Sequence, residues 1–495
     1  MLKTSYDVIV IGGANAGGFA AGAAAEKGAQ VLVIDKKSDS EHLYRNTIAS
    51  VDSHAQQRAG VKIDKRELVE FLSAFAQDNV DQQLLWTWVN HSGETLDWLE
   101  EKVLKPNGDH LYATGDAYYE TLMNKAFPSG NEVTADDHSW DRGWGKYVIA
   151  TDQALGVTFQ YNTKLEHLLT DAQNRVIGVQ VMDTETHAVR EITAKQGVIL
   201  CTGGYGANEA LMQKWAPTLL KKNTYTQSPR DDGSGQVAAL EVGAARDLEP
   251  ASIIFDRGAV PVGTNIDDYY VKDWQSHQFV LGSYPLLKVN LKGERFFNES
   301  APYQFAMNSL MHQPGHLEVM VWNAKTMDNL KQFHTLGCSR LGWPGIFGTD
   351  GEKKLLHDYL DKGYVQQADS IAELAEKMHL PVDQLTKTVD HYNDLCASGK
   401  DTDFGKEAYR LFPVDEGPYY AVTLGGILLA TLDGLHVNAQ MQVLDQHEAP
   451  IAGLYAAGNC AGGFFWGAYP DRVPGLTASH AVTFGRLAGQ CVVDA

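Results

Sequence analysis

Gly12-x-Ala14-x-x-Gly17, with Asp35 following 18 residues after Gly17, is an arrangement suited to a pyrophosphate and a ribose. A glycine turn that opens a helix offers unpaired backbone N–H groups and the positive end of the helix dipole to phosphate. An acid at the end of the next strand accepts from ribose hydroxyls. Ala14 stands where a second glycine usually permits the closest backbone approach, so a methyl must fit beside the phosphates. A second chemical feature lies near the chain end, in GGFFWGAYPDRVPGLTASHAVTFGRLAG, Gly462–Gly489, where Arg472 is embedded among Phe464, Phe465, Trp466 and Tyr469. A planar guanidinium in such a turn can grip a carboxylate, a carbonyl or a phenolate.

The elements that hold these residues are legible in outline. DVIVIGG reads as a β-branched strand ending in a turn, the small-residue run to Gly28 as a helix, and VLVIDK as the returning strand, one βαβ unit. Two further glycine-rich turns end apolar strands: GVILCTGGYGAN, Gly197–Asn208, after the hairpin-like VIGVQVMDTETHAVREITAK, and IAGLYAAGNCAGG, Ile451–Gly463. Ser370-x-x-Glu373 is a capping box opening a helix, and Pro381 with Asp383 starts another.

Bulk properties narrow the classes. The 495 residues are 44% hydrophobic, enough for two or three packed units. The net charge of −21 argues against nucleic acid or an anionic lipid surface, which clustered Lys and Arg would bind. Five cysteines without CxxC or CxxCH spacing read as free thiols in a reducing, cytoplasmic compartment, and no metal site is expected. Lys3 before an apolar run imitates a signal peptide, but Asp7 and the glycines make that run a strand and turn. No apolar stretch is long enough to predict a membrane span.

Taken with HSGETLDWLEE, NLKGERFFNESAPY, SIAELAEKMHLPVDQLTKTVDHYNDL and GLYAAGN through TFGRLAG, these motifs resemble the fumarate reductase and succinate dehydrogenase flavoproteins and their 3-ketosteroid dehydrogenase relatives over nearly the whole chain. The resemblance implies an α/β fold with an α+β cap: a Rossmann-like, glutathione-reductase-type FAD domain from 1–247 and 425–495, and a capping, substrate-binding insertion from 248–424. It implies FAD in an extended pose, with Gly12, Gly13, Ala14, Ala16, Gly17, Asp35 and Lys36 at the adenosine half. Thr202, Gly203 and Asp232 would lie along the dinucleotide, and Gly458 and Asn459 near the ribityl chain. Asn46-Thr47 occupies the place where the succinate dehydrogenase branch has a flavin-bound histidine, so noncovalent FAD is expected.

The resemblance also assigns roles at the reacting end. Tyr303 falls where fumarate reductases carry an arginine proton donor; its NES-x-PY setting instead resembles the ketosteroid dehydrogenases, whose tyrosine there exchanges a proton with substrate carbon, and a phenol can protonate a carbanion. Arg472 falls on the arginine that binds a substrate carboxylate. The histidine expected before Thr431 is missing, and His436 lies two residues past that motif, which speaks against fumarate. Phe465, Trp466 and Tyr469, with Arg472, point to an aromatic or polycyclic substrate. The expected reaction is hydride transfer from flavin N5 to an activated C=C, benzylic or quinone-methide carbon, with tetrahydrodaidzein reduced to equol as the particular expectation. Ketosteroid desaturation and a non-catalytic electron relay are the alternatives. With no haem motif or flavin-carrier segment before residue 7, the electron donor is expected to be an external reduced carrier or NAD(P)H.

Overall fold

The computed structural model describes residues 4–41, 44, 47–114, 125–135, 143–221, 223–226, 230–265, 278–326 and 349–495. The βαβ unit is β1 (Ser5–Ile11), α1 (Asn15–Glu26) and β2 (Val31–Ile34). β1 pairs in parallel with β2, Val10 opposite Val33, and on its other edge with β3 (Val189–Leu200), Ile11 opposite Leu200. Parallel strands buried on both faces read as continuous apolar runs, as VIVI and VLVI do. The eight-stranded sheet runs outward from β3 through Pro450–Ala456 to Gln442–Leu444, and beyond β2 to Thr158–Gln160. Thr163–Thr170 and Val176–Asp183 add the antiparallel hairpin read from the sequence.

A seven-stranded sheet forms the second layer. At its centre β4 (Ala251–Val260) pairs antiparallel with β5 (Tyr419–Thr431), Phe255 opposite Ile427. Glu318–Asn323 continues from β5, and Leu287–Asn290 follows it. The sheet also takes in Asn223–Thr226 and Gly467–Ala468, which lie outside residues 248–424, and β5 runs through the 424/425 boundary. Helices Ile371–Lys377 and Val382–Ser398 begin at Ser370 and Pro381, where the sequence places them, and the Ser370 hydroxyl accepts from the Glu373 amide at 3.2 Å. A short helix, α2 (Tyr303–Leu310), packs beside β4.

The last helix, α3 (Leu476–Asp494), lies on α1 at backbone contact distance. A Cβ at Gly485 would stand 2.2 Å from the Ala16 carbonyl oxygen. The small residues of α1 therefore serve packing: eleven of its twelve residues are buried between β1 and α3. Cys201, Cys396, Cys460 and Cys491 are free; Cys338 lies outside the described residues. Among the described residues no helix is long and apolar enough to cross a membrane.

Gly485→Leu should force α1 and α3 apart at about 1–3 kcal/mol. The expected readout is a lower thermal midpoint together with lost flavin on gel filtration; unchanged values would show that the contact is not required.

Candidate active site and cofactor cleft

One cavity of about 530 Å³ opens at the C-terminal ends of β1, β2 and β3 and extends onto β4. That volume is within the range of ligand pockets, and the strand ends are where open α/β sheets bind ligands. Gly12 holds φ +99°, and a Cβ there would sit 2.2 Å from the Cys201 carbonyl oxygen. The turn is therefore closed to other residues. Gly17 has its expected role, since a Cβ there would strike the Gly12 carbonyl.

Two helix N-termini face the cavity. α1 starts after Ala14 and α3 after Gly475, neither capped by the side chain of its own N-cap residue, and Ala14, Asn15, Ala16, Gly475, Thr477 and Ala478 all line the wall. Uncapped first turns leave N–H groups aimed at whatever fills the space. The buried Asp35 carboxylate lines the wall while accepting from the Gly13 and Lys37 amides, both at 2.9 Å. Carboxylate oxygens have lone pairs to spare for ribose hydroxyls. Thr202, Gly203, Gly458 and Asn459 line the stretch between. Thr47 also lines the cavity, in a left-handed conformation at φ +62° that a β-branched residue adopts only under constraint. The buried Glu132 carboxylate supplies that constraint, accepting from both its amide and its hydroxyl. Asn46 lies outside the described residues.

The wall departs from the sequence reading at several points. Lys36 lines the cavity, but Asp232 stands behind it as its ion-pair partner at 2.8 Å, and the neighbouring Asp231 takes the lining position. Burial pushes the Asp231 carboxyl up to about 6. Gly13 and Gly17 shape the turn without lining it. Of the aromatic residues near Arg472, only Tyr469 reaches the cavity, and its hydroxyl accepts from the Leu476 amide at the start of α3 at 3.1 Å. Phe465 and Trp466 instead line a separate apolar seam with Leu72 and Phe75. Phe464, Phe465 and Phe484 crowd round His480, with ring centroids 4.6–5.4 Å away. His436 pairs with Asp247 and Glu448, away from the cavity wall.

Arg472 is fully buried, and its Nη2 donates to the Ser300 carbonyl at 2.6 Å. Asp471 beside it accepts from the Tyr303 amide at 3.1 Å, so consecutive residues grip both ends of the turn that leads into α2. Neither Arg472 nor Tyr303 is among the lining residues. The Tyr303 ring stands directly behind Phe255, edge to face at 4.9 Å, and its hydroxyl faces Arg257 Nη2 at 3.5 Å. Phe255 and Arg257, on β4, do line the cavity. Motif reading passed over Arg257; its signal was an Asp-Arg pair inside the otherwise apolar ASIIFDRGAV, where a charge is costly unless used.

A cleft at the strand ends with a glycine turn and two helix N-termini on its wall, bordered by a second sheet carrying ionisable and aromatic groups, suits a dinucleotide. Residues 7–472 match the family model described as FAD binding domain, and the chain belongs to that family. It is 28% identical to the vinyl phenol reductase of Lactiplantibacillus plantarum, covering 98% of this chain and 96% of that one. It is 26% identical to the urocanate reductase of Eggerthella lenta, covering 99% and 74% respectively. Its fold superposes on the 3-ketosteroid-delta4-(5alpha)-dehydrogenase of Rhodococcus jostii RHA1 with a TM-score of 0.74 at 22% identity, over 100% of this chain and 98% of that one. The protein is an FAD-dependent oxidoreductase of the fumarate reductase and ketosteroid dehydrogenase type. The glycine cradle and the two uncapped helices suit FAD, which supplies two-electron chemistry where it is bound.

Acid precipitation of the holoprotein should release all the flavin to the supernatant; flavin retained in the pellet would contradict noncovalent binding. Burial among aromatic rings pushes His480 down to about 3. The folded protein keeps it neutral while the unfolded chain protonates near about 6.5, so stability falls as pH drops through that value. The stability lost by the wild type between pH 7.5 and 5.5 should exceed that lost by His480→Leu by about 1.4 kcal/mol, measured by denaturant titration. Parallel losses would refute the assignment.

Proposed function

We propose that the protein reduces the C=C bond of a small aromatic substrate, adding a hydride at one carbon and a proton at the other. The observation that carries this is the composition of the wall at the second sheet: Ile253, Phe255, Val280, Leu429, Ala430 and Tyr469, with Arg257 as its cation. Such a wall suits a flat ring better than a dicarboxylate, which needs more than one cationic partner. Similarity to relatives named for vinyl phenol and urocanate reduction supports the same direction.

Roles for the chain's own residues are proposed with it. Tyr303 is the proton donor to the substrate carbon once the Phe255 ring, which screens it from the cavity, turns aside, and the neighbouring Arg257 stabilises the charge left on the oxygen. Arg472 is a positioning residue: through Ser300, and beside Asp471, it fixes the start of α2 and hence Tyr303. Residues 248–424 act as a cap that excludes water. FAD held by the glycine turn and the two helix N-termini would supply the hydride, with an external carrier or NAD(P)H as its reductant. Tetrahydrodaidzein is the larger phenolic alternative: it would first lose its benzylic hydroxyl as water, giving a quinone methide that a hydride and a proton convert to equol, and Phe465 and Trp466, which line a separate seam, would not border it.

The test is anaerobic mixing of the reduced holoenzyme with 4-vinylphenol, urocanate, fumarate, tetrahydrodaidzein and a 3-ketosteroid. Rapid flavin reoxidation by an aromatic alkene is expected, fastest with 4-vinylphenol; reoxidation by fumarate alone, or by none, would overturn the reading. Bleaching of the oxidised flavin by a saturated ketosteroid would favour desaturation. Tyr303→Phe should slow reoxidation by about 10²–10⁴-fold with FAD retained; an unchanged rate would leave an electron relay.

A further inference from the structure

Arg257 is a buried cation without an acidic partner. It is 5% exposed, and among the described residues no carboxylate lies within ion-pair distance of its guanidinium. The other cations of the cavity wall each stand beside an acid: Lys36 with Asp232, Lys164 with Glu166, and Arg230 next to Asp231. Arg257 Nε donates to the neutral Ser283 hydroxyl at 2.6 Å. That hydroxyl in turn donates to Asp256 at 2.9 Å, which leaves its lone pair for Arg257. Asp256 pairs directly with Lys288, which Glu318 shares at 3.1 Å, so Arg257 reaches the Asp256 carboxylate only through the Ser283 hydroxyl.

The guanidinium is also held in place. It lies over the Phe255 ring at 4.3 Å and near that of Tyr303 at 5.4 Å, so it cannot swing to solvent. A fixed, desolvated positive charge raises the free energy of the empty site and lowers it when a ligand brings the compensating negative oxygen. Ser283 takes the Nε–H and Tyr303 one N–H of Nη2, which leaves three N–H groups, two on Nη1 and one on Nη2, for the oxygen of a ligand.

We propose that Arg257 is the substrate-recognition residue of this enzyme, binding a single acidic oxygen carried on an aromatic ring, a phenol in its ionised or hydrogen-bonded form. This deepens the reading of the reaction given above and rests on it for the location of the substrate. Selectivity follows from the pairing: a phenol satisfies the cation, its methyl ether cannot carry the charge, and a dicarboxylate leaves its second charge in an apolar wall.

The test uses the oxidised holoenzyme and inert ligands, followed by perturbation of the flavin absorption spectrum. Wild type should bind 4-ethylphenol at least tenfold more tightly than 4-ethylanisole, and succinate more weakly than 4-ethylphenol. Arg257→Met should weaken 4-ethylphenol at least tenfold, leave 4-ethylanisole within twofold and keep its FAD, with Arg257→Lys intermediate. Equal affinity of wild type for phenol and ether would overturn the proposal whether or not the variants fold. So would equal weakening of both ligands in Arg257→Met. An enzyme that shows the phenol preference through Arg257, yet is not reoxidised by 4-vinylphenol, would keep this inference and lose the alkene-reduction reading.

Discussion

The backbone contact between α1 and α3 is the constraint on which the site depends. A helix presents free N–H groups only at its first turn, so two such turns can serve one cavity only if the helices that own them lie close together. Alanine and glycine faces make that possible, with Gly485 against the Ala16 carbonyl and Gly17 against the Gly12 carbonyl. The result is a cleft to which two helix N-termini bring main-chain N–H groups, in a protein of net charge −21. Tyr469 ties the same junction to the aromatic wall, because its hydroxyl receives the Leu476 amide while its ring faces the cavity.

The second sheet meets a different requirement, which is to keep charged groups dry in fixed positions. Behind Arg257 the buried ions run on through Asp256, Lys288 and Glu318, and a neighbouring group joins Glu299, Lys406, Arg295 and Asp401. Little solvent reaches this layer, where Glu318 is 1% exposed, and that burial pushes its carboxyl up to about 7. A network of this kind contributes little net stability over an apolar core, but removing one member strands another charge. It is a rigid backing for the side chains of β4. The Asp471–Arg472 pair does similar work from the chain end by fixing the turn before Tyr303.

The cofactor half was legible in the sequence because it is local. Glycine turn, small-residue helix, β-branched strand and terminal acid follow one another within about thirty residues, and each is required by backbone geometry. The capping box at Ser370 and the helix start at Pro381 were legible for the same reason. Lys36 and Asp232 both read as cofactor residues; in the fold Lys36 lines the cavity and Asp232 is its ion-pair partner, with Asp231 in the lining position, a distinction set by which of two adjacent side chains faces inward.

The reacting half was not local, and there the aromatic segment misled. Phe464 and Phe465 enclose His480, a residue whose burial no composition could reveal, and Trp466 packs on Leu72 and Phe75 from the distant N-terminal helices. Arg472 has the residue type that binds substrate, but a carbonyl 172 positions away claims its guanidinium. Arg257 carries no motif and acquires its meaning from Ser283, Phe255 and Tyr303, which meet only when β4 is paired and α2 docked. By itself the sequence determined the nucleotide turn, the strand and helix order and the FAD-binding class, since these rest on backbone conformation and short-range spacing. Only the tertiary structure decided which arginine faces the cavity and which is spent on the scaffold, because desolvation and partnering are properties of the packed surroundings and not of the residue.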